Sequence, residues 1–214
     1  MTKMLLTDLR KEYLFASLDE KTAEADPLKQ FSKWFGEAVL AEVEEPNAMV
    51  LSTADLAANV SARVVLLKGV EKGGFLFFTN YDSRKGIQIA ANPRAALTFL
   101  WYAIERQIRV EGNVLKINRK ESEAYFNSRP ADSKLSACIS PQSGIIPDRA
   151  FLESMREGLI RDLNGRSPRC PDNWGGYLLK PTRMEFWQGR AHRLHDRLQY
   201  RLAKKTWVTE RLAP

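Results

Sequence analysis

Apolar residues recur at helical spacing through Leu28, Phe31, Phe35, Ala38 and Val39, and Asp26-Pro27 precedes them as an N-cap with proline in the first turn. This predicts an amphipathic helix to about Val43. After Pro46 the period shortens. Ala48 to Thr53 and Ala62 to Val70 are rich in Val and Leu and predict strands. Glu71-Lys72-Gly73-Gly74 is a turn, and Phe75 to Asn80 completes a hairpin. A short helix over Ser83 to Ala91 is closed by Asn92-Pro93, and strands follow over Ala95 to Ala103 and Gln107 to Ile117. Asn118, with Glu121 three residues on, caps a helix to about Ser128, and Pro130 disfavours helix at Arg129. Ser133 to Ile139 predicts a helical turn, Asp148 to Leu163 a helix and Gly165 to Asp172 a loop. Three strand-like segments end the chain: Gly176 to Lys180, Arg183 to Trp187 and Arg193 to Trp207. The first 25 residues are charged and weakly periodic, which predicts a mobile arm with a short helix around Asp8 to Leu14, ahead of one domain over 26–214.

Strands therefore cluster in the middle and at the end, with helices between them and no regular β-α-β alternation. The expected class is α+β, mainly β: an antiparallel barrel with added helices.

Composition narrows the function classes. The chain of 214 residues suits one domain, and 44% apolar content is ordinary for a globular protein. The net charge of +7 suggests anionic partners. The 33 basic residues are interleaved with 26 acids without a long basic run, which argues against nucleic acid. The opening MTKMLLTDLRKEYL has no signal-peptide core, and the most apolar stretch, Ala95 to Ile104, is too short for a membrane span. Cys138 and Cys170 read as structural thiols of a reduced, cytoplasmic protein. With His192 and His195 they match no zinc spacing, so no metal is expected.

Four stretches carry candidate chemistry. In SARVVLLK, Arg63 and Lys68 have odd separation, so a regular strand sends them to opposite faces, either toward two anionic groups or into solvent. In FFTNYDSRKG, Ser83, Arg84 and Lys85 open a helix, a favourable phosphate site or ordinary capping with dispersed charge. In YFNSRPADS, Tyr125 and Arg129 are four apart and share a helix face, and Pro130 can bring Ser133 round to them. That set suits a phosphate dianion, but a polar helix end reads equally well. In FWQGRAHRLHDR, Arg193, His195 and Arg197 share one face if the segment is a strand. Neighbouring arginines disfavour protonation of His195, which favours a neutral proton acceptor near pH 7. Salt bridging elsewhere in the fold is the bland alternative. These are more phosphate-binding groups than one ligand needs, without a nucleophile–base pair or a carboxylate dyad. A cofactor is then expected to carry the hard step.

Taken in order, LRKEY, RVVLLK, FFTN, SRKG, ERQIRVEG, YFNSRP, PQS, WGGY, EFWQG, RLHDR and the final RLAP resemble the FMN-dependent pyridoxine/pyridoxamine 5′-phosphate oxidase family over nearly the whole chain. The resemblance implies a split β-barrel of Greek-key type that binds FMN, and a homodimer with two active sites at the subunit interface. Pyridoxine or pyridoxamine 5′-phosphate would be oxidised to pyridoxal 5′-phosphate, with O₂ as acceptor and H₂O₂ as product. FMN would be held by Arg63, Val64, Val65, Leu66, Leu67, Lys68, Phe78, Thr79, Arg84, Lys85, Gln107, Gln142, Ser143, Trp187 and Arg197. The substrate phosphate would meet Lys68, Tyr125, Arg129 and Ser133, and Arg193, Leu194 and His195 would lie against the pyridine ring. Arg193 and His195 would be the catalytic pair, and Arg10 and Tyr13 would belong to an arm closing over the site. Glu45, Phe78 (Tyr in some members) and Ser136 (usually Gly) depart from the family pattern. A different split-barrel flavoprotein using a nicotinamide donor would leave RLHDR and YFNSRP unexplained together, and a non-catalytic carrier would need no oxygen reactivity.

Overall fold

The computed structural model describes Tyr13 and residues 16–214. Arg10 and the helix expected around Asp8 to Leu14 fall outside the described residues, apart from Tyr13. The elements are α1 (Pro27–Leu40), β1 (Ala48–Ala54), β2 (Val60–Leu66), β3 (Gly69–Glu71), β4 (Gly74–Asn80), α2 (Arg84–Ala91), β5 (Arg94–Trp101), β6 (Arg106–Lys116), α3 (Arg119–Ser128), α4 (Ala131–Ile139), α5 (Arg149–Leu163), β7 (Trp174–Gln188), β8 (Asp196–Ala203) and β9 (Thr206–Arg211). Short 3₁₀ turns occupy Tyr102–Ile104 and Ala191–Arg193. The class is α+β with antiparallel strand pairs, as expected. No helix among the described residues is long and apolar enough to cross a membrane.

The chain divides into two compact units. The first comprises residues 1–48, 98–111 and 182–214. Its strand order is β5-β6-β7-β8-β9. Asp26 caps α1 by accepting from Leu28 N, with Pro27 in the first turn. The buried face of α1 presents Phe31 and Trp34. Phe31 meets Phe99 at 5.0 Å, and Trp34 meets Phe186 edge-on at 5.3 Å. Arg106 is buried here, stacked over Trp34 and bonded to Gln188 and Glu37. Leu18 N donates to Asp196, Tyr200 Oη donates to Glu24 O, and Arg211 pairs with Glu20, so residues 18–24 are held to β8 and β9.

The second unit comprises residues 49–97 and 112–181, with strand order β2-β1-β5-β6-β7-β4-β3. Its core is built from Leu51, Phe75, Phe77, Leu97, Phe126, Tyr177 and Leu179. The caps expected at Ser83 and Asn118 are present, accepting from Gly86 N and Glu121 N, and Asp148 caps α5 by accepting from Phe151 N.

Three expectations are corrected. The single strand over Ala62 to Val70 is two, β2 and β3, interrupted at Leu67-Lys68. Two strands around Pro181 are one, because Pro181 sits buried within a continuous β7. The last segment begins at Asp196 and folds into a hairpin, with a turn at Lys204-Lys205 where Lys204 takes a φ of 59°.

Candidate active site

The candidate residues gather into three groups, two in the second unit and one in the first. The first group lies between β2 and α2. Arg63 donates from Nη1 to Leu51 O (3.0 Å) and Thr53 Oγ1 (2.7 Å), and from Nη2 to Ser61 Oγ. The hydroxyls of Thr53 and Ser61 both donate to Gln88 Oε1, each at 2.6 Å, which ties β1 and β2 to α2. Lys85 is the buried lysine among the described residues. Its Nζ donates to Gln142 Oε1 at 2.8 Å, Thr79 Oγ1 at 3.2 Å and Ser83 Oγ at 3.3 Å. No carboxylate forms an ion pair with Lys85, Arg63 or Arg84 among the described residues. Burial, then the nearby Arg63 charge, pushes the Lys85 ammonium down to about 8. Burial and the Arg84 charge lower Arg63 in the same way. A buried cation without a counterion is costly unless an anion joins it. Arg84, Gln88, Gln142 and Ser143 line an adjoining cleft of about 720 Å³. These donors fit a phosphate, as expected for the set Arg63, Ser83, Arg84 and Lys85; Thr79, Gln142 and Ser143, which the resemblance implied as FMN contacts, lie beside them. Thr53, Ser61 and Gln88 were missed; their signal is only a polar residue on an otherwise apolar strand or helix face.

On β2, Val64 and Leu66 are exposed and Val65 is half-buried, while Leu67 and Lys68 lie beyond the strand end. The opposite-face argument for Arg63 and Lys68 therefore fails, since one regular strand does not carry both. Lys68 instead joins the second group. It lines a pocket of about 320 Å³ with Phe78 and Tyr125. The Phe78 ring stacks on Tyr125 at 3.9 Å, which places that side chain with the second group. Arg129 is the C-cap of α3 with extended φ/ψ, so it does not share a helical face with Tyr125 as expected. Its guanidinium lies 4.8 Å over Trp174, and its Nη1 is buried with no hydrogen-bond partner among the described residues. Burial lowers its pKa. An orphaned, buried guanidinium N–H fits an absent anion. Ser133 stands half-buried in the first turn of α4, outside the residues lining that pocket.

The third group belongs to the first unit. Arg193 and His195 are not on a strand. Arg193 ends the 3₁₀ turn, His192 and Arg193 take φ of 57° and 61°, and β8 starts only at Asp196. Arg193 and Leu194 are exposed. His195 accepts a hydrogen bond at Nδ1 from Arg190 N, 3.1 Å. A backbone N–H can only donate, so Nδ1 carries no proton and Nε2 carries the ring N–H. Burial first, then the Arg193 charge, lowers the His195 pKa. The lowering runs in the direction expected for a ring that resists protonation, with burial rather than the flanking arginines as its leading cause. His195 lies 4.7 Å from Trp187, and Tyr13 meets both rings edge-on at 5.6 Å. Gly189 makes this possible, because a Cβ there would lie 2.7 Å from Tyr13 Cγ. Arg197 pairs across from Trp187 in the β7–β8 register. It donates from Nε to the buried Glu185 (2.9 Å) and from Nη1 to Ala213 O (2.7 Å). Gln107 lies half-buried on β6. Glu185, which holds Arg197, carried no signal in the sequence beyond being an acid on an apolar strand.

Two family models match. Residues 35–157 match "Pyridoxamine 5′-phosphate oxidase" and residues 174–214 match "Pyridoxine 5′-phosphate oxidase C-terminal dimerisation region". The chain is 54% identical over 210 residues to the pyridoxine/pyridoxamine 5′-phosphate oxidase of Ralstonia pickettii, covering 98% of this chain and 99% of the relative. It is 51% identical over 211 residues to the protein of that name from Pseudomonas paraeruginosa, covering 98% of each. Among solved structures it resembles PhzG from Burkholderia lata, in complex with tetrahydrophenazine-1-carboxylic acid, with TM-score 0.87, 28% identity and coverage of 92% of this chain and 98% of that one. A pyridoxamine 5′-phosphate oxidase-related, FMN-binding protein from Nostoc punctiforme shares the fold at TM-score 0.70 and 17% identity, covering 86% of this chain and 97% of that one.

Proposed function

The chain belongs to the pyridoxine/pyridoxamine 5′-phosphate oxidase family, with its split-barrel fold, and from that premise we propose an FMN-dependent oxidase that makes pyridoxal 5′-phosphate from pyridoxine or pyridoxamine 5′-phosphate. The observation that carries the reading is a pair of separate cationic sites: one holds the buried Lys85 with no carboxylate partner, and the other holds the half-buried Arg129, whose Nη1 is buried with no hydrogen-bond partner among the described residues. One phosphate on the cofactor and one on the substrate account for both. Bound FMN supplies the two-electron acceptor for oxidation at the carbon attached to the pyridine ring. O₂ would be the final electron acceptor and H₂O₂ the product.

Arg63, Arg84 and Lys85 hold the cofactor phosphate, aided by Thr79, Gln142 and Ser143. The β2 backbone through Val64, Val65 and Leu66, the junction at Leu67 and Lys68, and the Phe78 backbone run along the cofactor. Gln107, Trp187 and Arg197 complete its site. Lys68, Tyr125, Arg129 and Ser133 grip the substrate phosphate. Arg193, Leu194 and His195 cover the substrate ring, with Arg193 countering developing negative charge. His195 offers a donor at Nε2, because Nδ1 is engaged by Arg190 N. This makes it a positioning group rather than the proton acceptor. Tyr13, whose ring lies against Trp187 and His195, covers the site from the N-terminal side. The protein works as a homodimer, which the matched C-terminal dimerisation region supports, and its active sites lie at the subunit interface in this reading. Free Cys138 and Cys170 suit a cytoplasmic setting.

The cofactor assignment is tested by the purified protein's flavin. Acid should release FMN, at about one per chain after reconstitution. Release of FAD, or failure of the apoprotein to take up FMN, would overturn the assignment.

A further inference from the structure

Two of the four residues assigned to the substrate phosphate rest on one indole. Trp174 opens β7 and is 6% exposed. The Arg129 guanidinium carbon lies 4.8 Å from its ring centroid. The Tyr125 ring runs parallel to it, with 8° between planes and 6.2 Å between centroids. Phe78 belongs to the same stack, 3.9 Å from Tyr125 and 5.5 Å from Trp174. Phe126 abuts the indole edge-on at 5.3 Å and fixes its tilt. An aromatic face attracts a guanidinium through the ring quadrupole without taking its N–H donors. A carboxylate in the same place would occupy them. The arrangement therefore holds Arg129 in place and leaves Nη1 buried and uncommitted. The two residues after Trp174 permit the close approach. A Cβ at Gly175 would lie 2.2 Å from Tyr81 Oη, and one at Gly176 would lie 2.5 Å from Ile117 Cδ1 and 2.9 Å from Phe78 Cε1.

We propose that Trp174 is a positioning residue for the known reaction: its indole orients Arg129 and Tyr125 as a preformed phosphate clamp and so sets affinity for phosphorylated substrate. Trp174 acts through these two side chains. The inference rests on reading Arg129 and Tyr125 as phosphate ligands, and the test separates the two claims.

Trp174→Leu, Trp174→Phe and Arg129→Ala, and each Trp174 change combined with Arg129→Ala, are assayed as reconstituted holoenzymes with pyridoxine 5′-phosphate. Arg129→Ala should raise KM about tenfold or more, the loss expected for a charge-assisted hydrogen bond. Trp174→Leu should raise KM about three- to thirtyfold, the range of a cation–π contact, with kcat and FMN content unchanged. Trp174→Phe, which keeps a smaller aromatic face, should recover most of that loss while remaining measurably weaker than wild type. In the Arg129→Ala background both Trp174 changes should add a smaller loss than in the wild type, the part transmitted through Tyr125. If Trp174→Leu does not fold, Trp174→Phe alone and in the Arg129→Ala background decides. A wild-type KM for the folded Trp174 variants, or a Trp174 loss that persists in full without Arg129, would overturn the positioning role. An unchanged KM in Arg129→Ala would instead remove the phosphate reading beneath it.

Discussion

At the residue scale, Lys85 and His195 are both shifted toward their neutral forms, but only Lys85 should impose a pH dependence on binding. Lys85 is lowered to about 8 by burial, so it is mostly cationic at pH 7 and becomes neutral as pH rises through that value. A phosphate favours the cationic form. The apoprotein's affinity for FMN should therefore weaken above about pH 8, by up to about tenfold per pH unit until the bound-state pKa is reached. Flavin-fluorescence titrations from pH 6.5 to 9.5 measure this, and a flat profile would contradict the role of Lys85. Burial, then the Arg193 charge, lowers the His195 pKa and so favours the neutral ring. Its Nδ1 lone pair is taken by Arg190 N, and Nε2–H can donate in either protonation state. His195→Gln, which retains a donor, should keep kcat within about threefold of wild type, whereas a lost proton acceptor typically costs about 10²–10⁴. Arg193→Leu should lower kcat/KM strongly while FMN stays bound. A large loss in His195→Gln together with an acid limb that disappears in the variant would show that His195 accepts the proton after all.

At the scale of elements, α2 ties the cofactor group to the sheet. Gly86 is buried in its first turn, and a Cβ there would lie 2.1 Å from Tyr81 O, a backbone atom that cannot swing aside. Gly86→Ala should therefore destabilise the fold by roughly 1–3 kcal/mol and weaken FMN binding, because Arg84 and Lys85 move with the helix. Chemical denaturation with and without FMN reads both effects; unchanged stability would mean that α2 does not dock as described. Elements governed by local chemistry were legible in the sequence. Asp26, Ser83, Asn118 and Asp148 mark the starts of α1, α2, α3 and α5, since a cap needs only its own next turn. What long-range pairing decides was not legible. Pro181 sits inside β7, and a propensity-based reading breaks the strand there. The 3₁₀ turn presenting Arg193 and His195 uses positive φ at His192 and Arg193, with no glycine to announce it. The cationic candidates could be named from the sequence because they fall in ordered motifs. The groups that hold them could not: Leu51 and Thr53 for Arg63, Trp174 for Arg129 and Glu185 for Arg197 stand on other elements, ten or more residues away in sequence.

At the scale of the whole molecule, the proposed dimer distributes ligands between chains. Lys85 belongs to one compact unit and Arg197 to the other. We expect each flavin to take Arg84 and Lys85 from one protomer and Trp187 and Arg197 from its partner. A twofold axis repeats the arrangement, so in a mixed dimer of Lys85→Ala and Arg197→Ala chains one site collects both lesions and the other neither. Random reassortment should restore about a quarter of wild-type activity. An inactive, FMN-loaded mixed dimer would show that both ligands come from one chain. The central claim is the oxidation itself, and simultaneous recording of O₂ and of pyridoxal 5′-phosphate tests it most directly. When pyridoxine 5′-phosphate is added in air to the FMN-loaded protein, the aldehyde should form over many turnovers with matching consumption of O₂ and release of H₂O₂. Unphosphorylated pyridoxine should be a poor substrate. No aldehyde, or aldehyde limited to a single equivalent per flavin while O₂ stays constant, would contradict the account.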